Sequence, residues 1–489
     1  MKYLKLILLF GCIGVNAQEG TIKWAEKIKT RGNVELIGGF DGSYFTVNVD
    51  NESRLNCRKY NNEMKIVEEK IAPIVSNSDR FSFNSAIFLN KKILFISQEK
   101  NRKEDKESLV GSFSDFKLNK VDKSILLDEY GDDDDVVTFG NVYQSIDSTK
   151  ILVVKKFKSR KKEPSKLAFK LYDNKLNSVL LDKTVEIPIK DKNFVNYTLS
   201  VDNLGNIYLL AIIKKEKKEI TEGQSDFYHK VIIFDHKTAE PKELDFAFEN
   251  KTAQSFAVLA GENNTMICAG FLCEVIDGFF SKKNSKSTNE IFTTVIDCKT
   301  KNIISKNTIK VEDLYPENGN NRDKIPYYIR DIHGNKDGSF DVIAEQYKYE
   351  VHRNSVDYFY CDIAYFNIDK NNNLKSVVKI PKFQKNVKNP SIISTFANNK
   401  TYIIYEDLTK NVDATNDKET KRTASNPFTS NTGNSIFLVN IDKSGKFKKE
   451  ILYDFENGKI RPKILTSRVI NPKTIILNAD DQIGLLKLK

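Results

Sequence analysis

The sequence lacks the short motifs that mark the common enzyme classes. It contains no phosphate-binding glycine loop, no Gly-x-Ser-x-Gly nucleophile motif and no His-Glu-x-x-His zinc helix. Its four histidines are scattered, and no cysteine pair has the spacing of a zinc site. These absences exclude enzymes that a linear motif identifies. They leave open a site assembled from distant parts of the chain.

Cysteine is scarce as well. Five of the six cysteines follow the N-terminal segment, and an odd number leaves at least one thiol unpaired. Cys268 and Cys298 fall on strands that we expect to pair, but Cys298 should lie opposite a residue near Thr265. The two thiols are then too far apart for a disulfide. We therefore expect buried thiols and no disulfide framework.

Long apolar runs are absent after the first twenty residues, and none approaches the ~18 residues that a membrane-spanning helix needs. The N-terminus has a short basic start, an apolar core at Leu4–Val15 and a small-residue cleavage site at Val15–Ala17. This pattern predicts a secretory signal peptide over residues 1–17 and one soluble, secreted or periplasmic domain over residues 18–489. A lipoprotein attached through Cys12 is the less favoured alternative, because its apolar core would be very short.

The charge excess is small for a chain of this length. Lysine and arginine number 77 against 66 for aspartate and glutamate, a formal charge of +11, or +9 once Lys2 and Lys5 are removed. Charges of both signs alternate along the chain. Nucleic-acid binding needs a concentrated basic face, so we expect no nucleic-acid partner.

What the sequence does contain is one pattern repeated along its length. In Phe194–Lys218 an apolar run (Tyr197–Val201) meets the turn Asp202–Asn206, and a second apolar run (Ile207–Ile213) follows. β-Branched and aromatic runs joined by Gly, Asn and Asp predict a β-hairpin. A second hairpin follows each copy, so the repeating unit has four strands. The inner runs are apolar throughout, as in sheets buried on both faces, and no segment has a sustained helical period.

Seven complete units and a last unit of three strands predict an all-β propeller of about eight four-stranded blades, with seven blades as the alternative. Thr21–Ile28 should pair beside Ile483–Lys489, complete the last blade and bury Trp24, which removes an open strand edge. Within the blades, long connections between the second and third strands predict one elaborated face and one plain face. We expect these connections at Glu99–Ser108, Lys158–Lys166, Lys214–Phe227, Val275–Glu290, Lys348–Tyr358 and Asp407–Asn434.

Two stretches resemble a known class of repeat. Asp202–Leu209 (DNLGNIYL) resembles the Asp-x-x-Gly-Asn-Ile-Tyr hairpin of secreted bacterial β-propeller repeats, and Phe359–Leu374 resembles their outer hairpin. The Trp-Asp dipeptide, the kelch double glycine and the sialidase box are all missing. The resemblance implies the propeller fold, and a fold alone does not define a function.

Two groups of residues are candidates for a binding site. Arg330, Asp331 and His333 end the innermost strand of the sixth unit, where they could hold an anionic ligand or transfer protons. A polar turn is the simpler interpretation of these three. Phe279 and Phe280 lie in an expected loop, where adjacent phenylalanines suggest a contact surface unless they pack on their own blade.

Two charge runs are weaker candidates. A cluster of carboxylates in one connection could hold calcium, although a solvated loop is the favoured interpretation and no other cofactor is expected. This acidic run consists of Asp132, Asp133, Asp134 and Asp135. A basic loop could contact a polyanion, although charge runs are usually solvated surface. Its cations are Lys158, Arg160, Lys161 and Lys162.

These observations favour an exported binding scaffold over a catalyst. Adaptable loops on a rigid ring are where binding usually resides, so partners should bind the elaborated face. An aromatic pair is a better hot-spot candidate than exposed charge, which favours a protein partner over an anionic glycan. The alternative is an extracellular enzyme that processes glycan or peptide at a site assembled from several blades near the ring axis.

Overall fold

The computed structural model describes most of the chain after residue 18 and is nearly all β-structure. The described residues are 19–28, 34–49, 54–72, 81–89, 91–101, 103–121, 123–131, 134–219, 227–246, 248, 251–261, 263–276, 284–312, 314, 325–353, 355–385, 392–416, 419–421, 433–455, 460–479 and 481–489. The segment predicted as a signal peptide lies outside them.

The described residues form eight antiparallel sheets. The first strand, β1 (Gly20–Trp24), belongs to the last sheet. Blade 1 contains β2 (Glu35–Phe40), β3 (Ser43–Val49), β4 (Leu55–Tyr60) and β5 (Ile66–Ile71), and blade 2 contains β6 (Phe81–Leu89), β7 (Lys92–Asn101), β8 (Lys106–Ser114) and β9 (Ile125–Gly131). Blade 3 contains β10 (Val136–Gln144), β11 (Lys150–Phe157), β12 (Pro164–Asp173) and β13 (Val179–Lys190). Blade 4 contains β14 (Phe194–Val201), β15 (Ile207–Lys214), β16 (Phe227–Phe234) and β17 (Pro241–Asp245).

Blades 5 to 8 continue the same order. Blade 5 contains β18 (Lys251–Ala260), β19 (Thr265–Ile276), β20 (Asn284–Asp297) and β21 (Ile303–Lys310). Blade 6 contains β22 (Tyr327–Gly334), β23 (Phe340–Val351), β24 (Val356–Ile368) and β25 (Leu374–Ile380), and the short β26 (Gln384–Lys385) also lies beside β24. Blade 7 contains β27 (Ile392–Ala397), β28 (Lys400–Leu408), β29 (Asn434–Asp442) and β30 (Phe447–Asp454), and blade 8 contains β31 (Lys463–Asn471), β32 (Thr474–Ala479) and β33 (Gln482–Leu488). Single 3-10 turns occur at Asp191–Asn193, Lys217–Glu219 and Thr409–Asn411.

The eight sheets stand in a ring as the blades of a β-propeller. Strand β1 pairs antiparallel with β33, from Gly20 opposite Leu488 to Trp24 opposite Gly484. The prediction that an N-terminal strand completes the last blade is therefore confirmed. Across the junction between blades 8 and 1, Arg468 Nη1 donates to the carbonyl of Ile37 at 2.7 Å. Trp24 is half-buried, with its ring edge-on to Tyr453 at a centroid distance of 5.5 Å.

Apolar central strands supply the core, because each blade packs both of its faces against neighbours. Strand β15 is buried along almost its whole length. The cluster around it also includes residues of blade 3, and the ring of Phe169 in blade 3 lies 5.0 Å from that of Phe234 in blade 4. This packing explains why the inner runs of the sequence are apolar at every position instead of alternating.

The repeated Asp-x-x-Gly turns have one physical cause. The buried Asp202 carboxylate accepts hydrogen bonds from the backbone N–H groups of Leu204, Gly205 and Asn206 at 2.8–2.9 Å. Gly205 has a φ of +98°, a conformation that glycine adopts readily. A similar turn joins the third and fourth strands of blade 6, where the backbone N–H of Asn373 is the main cause that lowers the pKa of Asp369.

None of the five described cysteines forms a disulfide, and all five are buried, as the sequence predicted. Cys268 lies opposite Thr294, whereas the backbone N–H of Cys298 donates to the carbonyl of Asn264. The two thiols are therefore offset along the hairpin. Burial raises the pKa of the Cys57 thiol to about 12, so this sulfur is held in its unreactive protonated form.

Three of the predicted long connections are in fact extended strands. Much of Glu99–Ser108, Val275–Glu290 and Lys348–Tyr358 continues the β7–β8, β19–β20 and β23–β24 hairpins. The extended parts have no neighbouring blade to bury them, so many of their residues are polar. A sequence pattern based on apolar runs therefore does not identify them as strands. The connection after β28 does remain long. Since strands alternate in direction, these hairpins and the connections between blades emerge on one face of the ring, the elaborated face.

Candidate functional site

The structure separates the three polar residues predicted on the innermost strand of blade 6. Arg330 is looped out by a β-bulge, because Ile329 pairs with Ala344 and Asp331 pairs with the next residue, Ile343. The bulge directs Arg330 away from Asp331 and His333. Arg330 joins a cluster beneath the β23–β24 hairpin, and the other two residues contact the neighbouring blade.

Asp331 and His333 meet Ser394 of strand β27. Ser394 Oγ donates to Asp331 Oδ2, and His333 Nε2 lies 2.9 Å from the same hydroxyl. In a nucleophilic triad the carboxylate contacts the other nitrogen of the imidazole, and the serine proton points at the histidine. Here the serine proton is held by the carboxylate. The arrangement therefore holds strand β22 against strand β27 and orients the imidazole ring of His333. It does not activate Ser394.

Arg330 forms an ion-pair cluster with Glu345 and Lys382. Arg330 Nε donates to Glu345 Oε2 at 2.9 Å, and Nη2 lies 2.8 Å from the same oxygen. The other oxygen, Oε1, accepts from Lys382 Nζ. Both Glu345 and Lys382 are fully buried, whereas the Arg330 side chain retains 32% of its exposure. One buried carboxylate thus contacts two cations, and the arginine is the one that reaches solvent.

Two aromatic rings cover the arginine. The guanidinium lies 5.9 Å from the ring centre of Tyr347 and 6.0 Å from that of Tyr360, which is within cation–π range. Burial is the main cause that raises the pKa of both phenols, and Arg330 opposes the shift. The cluster is therefore set in an aromatic wall, where electrostatic interactions are stronger than in bulk water.

The same two tyrosines begin a stripe that continues to the hairpin tip. Tyr347 pairs with Tyr360, Tyr349 with Tyr358 and Val351 with Val356. Directly opposed residues share one face of a sheet, and residues two apart along a strand share it too. We call these six residues, together with Tyr328, whose ring meets Tyr347 at 5.7 Å, the tyrosine stripe. Towards the tip, Tyr349 is 60% exposed and Val351 is 70% exposed.

The opposite face of the hairpin is held by charge pairs. Lys348 Nζ lies 2.7 Å from Glu350 and also covers the ring of Phe359. Asp357 lies 2.8 Å from Lys385, which belongs to the short strand β26. Because β26 also pairs with Phe359 and Tyr360, it braces the projecting hairpin at its base. The tyrosine stripe is therefore presented on a supported element.

Two carboxylates in blade 7 are buried beside this region. Asp407 is buried at the end of β28, and its burial raises the pKa to about 7 against the opposing effect of hydrogen bonds from Leu408 and Asn411. Burial also raises the pKa of Glu406, which accepts from Asn434 at 2.7 Å. Asp407 Oδ2 has no hydrogen-bond partner among the described residues. Both groups lie too deep to meet a substrate in this conformation.

The remaining predicted site residues lie apart from the stripe. The basic loop is exposed, and Arg160 lies 3.8 Å from Glu163. Asp134 accepts from the backbone N–H of Gly131, while Phe279, Phe280, Asp132 and Asp133 lie outside the described residues. Within the described part, no group of three or more His, Cys, Asp or Glu side chains could hold a metal ion, and no helix could cross a membrane.

Sequence reasoning missed most of this site. The alternating tyrosines at 347 and 349, and at 358 and 360, are a period-two pattern that could have revealed the hairpin. Lys382 gives no such signal, because a lysine is usually exposed and its partner Glu345 is 37 residues away. The burial of Asp407 is equally hidden from the sequence.

Comparison with known proteins finds no matching sequence and distant structural similarity to several propellers. No protein-family model matches the chain, and no curated protein sequence matches it. Among solved structures, the WD40 domain of SCAP from fission yeast is similar with a TM-score of 0.44 and 10% identity over 96% of this chain and 98% of that one. The Dos1 propeller has a TM-score of 0.44 and 9% identity, with 95% of each chain covered. The propeller domain of the Trilobed protease from Pyrococcus furiosus has a TM-score of 0.33 and 13% identity, covering 89% of this chain and 97% of that one.

Proposed function

We propose that this protein is an exported scaffold that binds another protein through the tyrosine stripe on its elaborated face. The observation that carries the proposal is the exposure of Tyr349, Val351, Val356 and Tyr358 on one side of a projecting hairpin. Contiguous exposed apolar surface on a soluble protein marks an interaction site. Aromatic side chains are the commonest anchors of such sites, each worth ~2 kcal/mol or more when central to an interface.

The support beneath the stripe favours binding energetically. Two-stranded hairpins are marginally stable by themselves, but here β26 and the charge pairs on the opposite face hold the projecting part. Tyr347 and Tyr360 pack on each other at 4.9 Å and on Arg330. A partner therefore meets side chains that are already ordered, which reduces the entropy lost on association.

The experiment is a competition between variants for partners from the cell envelope and the medium. Biotinylated protein is cross-linked to these fractions, and unlabelled protein is added as competitor. Wild type should suppress a saturable set of products, whereas Tyr349→Ser/Tyr358→Ser should not. Val179→Ser/Leu180→Ser removes two exposed apolar residues from strand β13 and is the matched control, which should compete as wild type does. Equal competition by both double variants would refute the proposal.

Two further arms test the other candidate contacts. Phe279→Ala/Phe280→Ala measures whether the second aromatic pair contributes to the same interface. Neutralising Lys158, Arg160 and Lys161 together with Lys162 tests for an anionic glycan. Exposed, screened charges contribute little affinity by themselves, so partner recovery should survive neutralisation. Recovery that depends on these cations and disappears in moderate salt would favour the glycan instead.

Export is the second part of the proposal and has its own test. It is supported by the basic start, apolar core and small-residue site of residues 1–17. N-terminal sequencing of protein recovered from the envelope or the medium should read from Gln18. Lipid labelling that disappears in Cys12→Ser would show a lipoprotein and contradict the proposed cleavage.

A further inference from the structure

Arg330 has hydrogen-bonding capacity that the described structure does not use. Its Nε and Nη2 face Glu345 Oε2, and Nη1 has no acceptor among the described residues. Glu345 is also shared with Lys382, so a single carboxylate faces two cations. The guanidinium is flanked by Tyr347 and Tyr360 and remains partly open to solvent.

From this geometry we propose that the tyrosine stripe binds an extended acidic segment of a protein partner, with one of its carboxylates on Arg330. The inference rests on the function proposed above and adds the chemistry of the ligand. Arginine presents a fork of donors that matches a carboxylate. A carboxylate placed on Nη1 would use the donor of Arg330 that has no acceptor among the described residues. Arg330 thus fixes the position of one acidic side chain along the stripe.

The rest of the stripe sets the shape of the bound segment. Three cross-strand pairs lie along it, and the five residues from Tyr347 to Val351 span roughly 14 Å in an extended strand. A ligand in extended conformation presents alternate side chains to one face with the same spacing. Apolar side chains at those positions would cover Tyr349, Tyr358 and the two valines.

The aliphatic end of the stripe favours a peptide over an acidic glycan. Tyrosine rings can stack on sugars, but Val351 and Val356 offer no stacking surface and gain only from apolar burial. Charges around the hairpin are also suitable for an acidic peptide. Lys348 and Lys385 are each paired with a carboxylate of the hairpin, Glu350 and Asp357, whereas Nη1 of Arg330 has no acceptor among the described residues.

The experiment selects ligands from a random library of nine-residue peptides displayed on phage, with the purified full-length protein as bait. Enriched sequences should combine one Asp or Glu with apolar residues at alternating positions. A selected peptide should bind roughly tenfold or more tightly than its twin with Glu replaced by Gln, measured by fluorescence anisotropy. Enrichment without an acidic position, or no enrichment at all, would overturn the inference.

Variants of the protein test whether Arg330 causes the preference for the acidic peptide over its amide twin. Arg330→Gln should remove the difference between the acidic and amide peptides, and Arg330→Lys should restore it only in part, because lysine lacks the fork. Arg353→Gln removes the same charge from the exposed tip of the hairpin and should leave the difference intact. If Arg353→Gln lowers it as much as Arg330→Gln, the preference is general electrostatics and the inference fails. Melting temperatures confirm that each variant is folded.

Two outcomes separate this inference from the proposed function. Tyr349→Ser/Tyr358→Ser should weaken the acidic and amide peptides equally, because it removes apolar contact and leaves Arg330 in place. Loss of partner competition in that double variant, together with equal binding of the two peptides to wild type, would retain the proposed function and reject the acidic ligand. Polygalacturonate that binds wild type and displaces the peptide would identify an acidic glycan and also reject it.

Discussion

At the scale of single residues, the charges beneath the hairpin are the least expected feature. A buried ion pair need not add net stability, because removing both ions from water costs several kcal/mol. Removing only one partner is strongly destabilising, because the remaining buried charge then has no opposite charge beside it. Glu345 is the residue on which two cations depend, so it should be the most sensitive position of the cluster.

Glu345→Gln should therefore lower the free energy of unfolding by roughly 3–5 kcal/mol, because Arg330 and Lys382 would face a neutral amide in a buried setting. Urea unfolding followed by circular dichroism measures the change. Glu350→Gln, at an exposed pair on the same strand, is the control and should change the unfolding midpoint little. A similar midpoint for both variants would show that the buried cluster contributes no more than surface charge.

A second prediction at this scale concerns Asp407 and pH. Its folded pKa of about 7 lies above the ordinary value, so the folded state binds the proton more tightly than the unfolded state. The contribution of this group to the free energy of unfolding therefore falls as the pH rises from about 4 to about 7. Asp407→Asn cannot ionise, and its stability should decline less than that of wild type over this interval, by an amount on the order of a few kcal/mol.

Thermal melts of wild type and Asp407→Asn across pH 4 to 8 give this comparison. Asp413→Asn, which changes an exposed carboxylate in the same connection, controls for the loss of a negative charge. The Asp413 variant should follow the wild-type curve. Parallel curves for wild type and Asp407→Asn would show that the folded and unfolded states bind the Asp407 proton equally, so that folding does not raise its pKa.

At the scale of elements, strand pairing depends on small residues where side chains cross. Gly484 lies on β33 directly opposite Trp24. A Cβ atom at this position would lie 2.6 Å from the indole ring, closer than packed atoms approach. The indole cannot move away freely, because it packs on Tyr453. The fit of the closing strand thus depends on one missing methyl group.

Gly484→Ala should therefore loosen the pairing of β1 with β33. Overpacking commonly lowers the free energy of unfolding by roughly 1–3 kcal/mol, so the melting temperature should fall. Gly131→Ala is the control, because the nearest atom to its Cβ is 3.8 Å away. Amide hydrogen exchange should locate the loss of protection in β1. A variant whose β1 amides remain as protected as in wild type would refute this account.

The elements that sequence could predict are those fixed by local interactions. The Asp202 turn is readable because its carboxylate bonds to backbone groups within four residues. The closing strand was predictable because Thr21–Ile28 had no partner nearby in sequence. In contrast, the hairpin at Lys348–Tyr358 was predicted as a loop, since its polar face resembles one. The link from Lys382 to Glu345 joins the segment between β25 and β26 to strand β23, and no local pattern can show it.

At the scale of the whole molecule, the ring is held by contacts between its two ends. Strand β1 fills the fourth position of blade 8, and the segment after it continues the contact, with the N–H of Ala25 donating to Ile483 at 2.9 Å. Without β1, strand β33 would present an unpaired edge, which destabilises a sheet and promotes aggregation. The closure should therefore contribute to stability well beyond its five residues.

A chain that begins at Arg31 should melt several degrees below one that begins at Gln18, because it loses one strand of the closing blade. Differential scanning calorimetry measures the shift. A synthetic peptide covering residues 19–30, added in excess, should bind the open edge and recover part of the loss. An unchanged melting temperature would show that blade 8 is stable with three strands.

The pairing of β1 with β33 also imposes an order of events during synthesis. A ribosome makes β1 first, yet its partner strand lies more than 450 residues downstream. The intervening blades can assemble one after another as they emerge, but the growing arc has two open ends. β1 must wait as an unpaired segment until β33 has been made. Only then can the arc become a ring, so completion of the fold depends on the synthesis of blade 8.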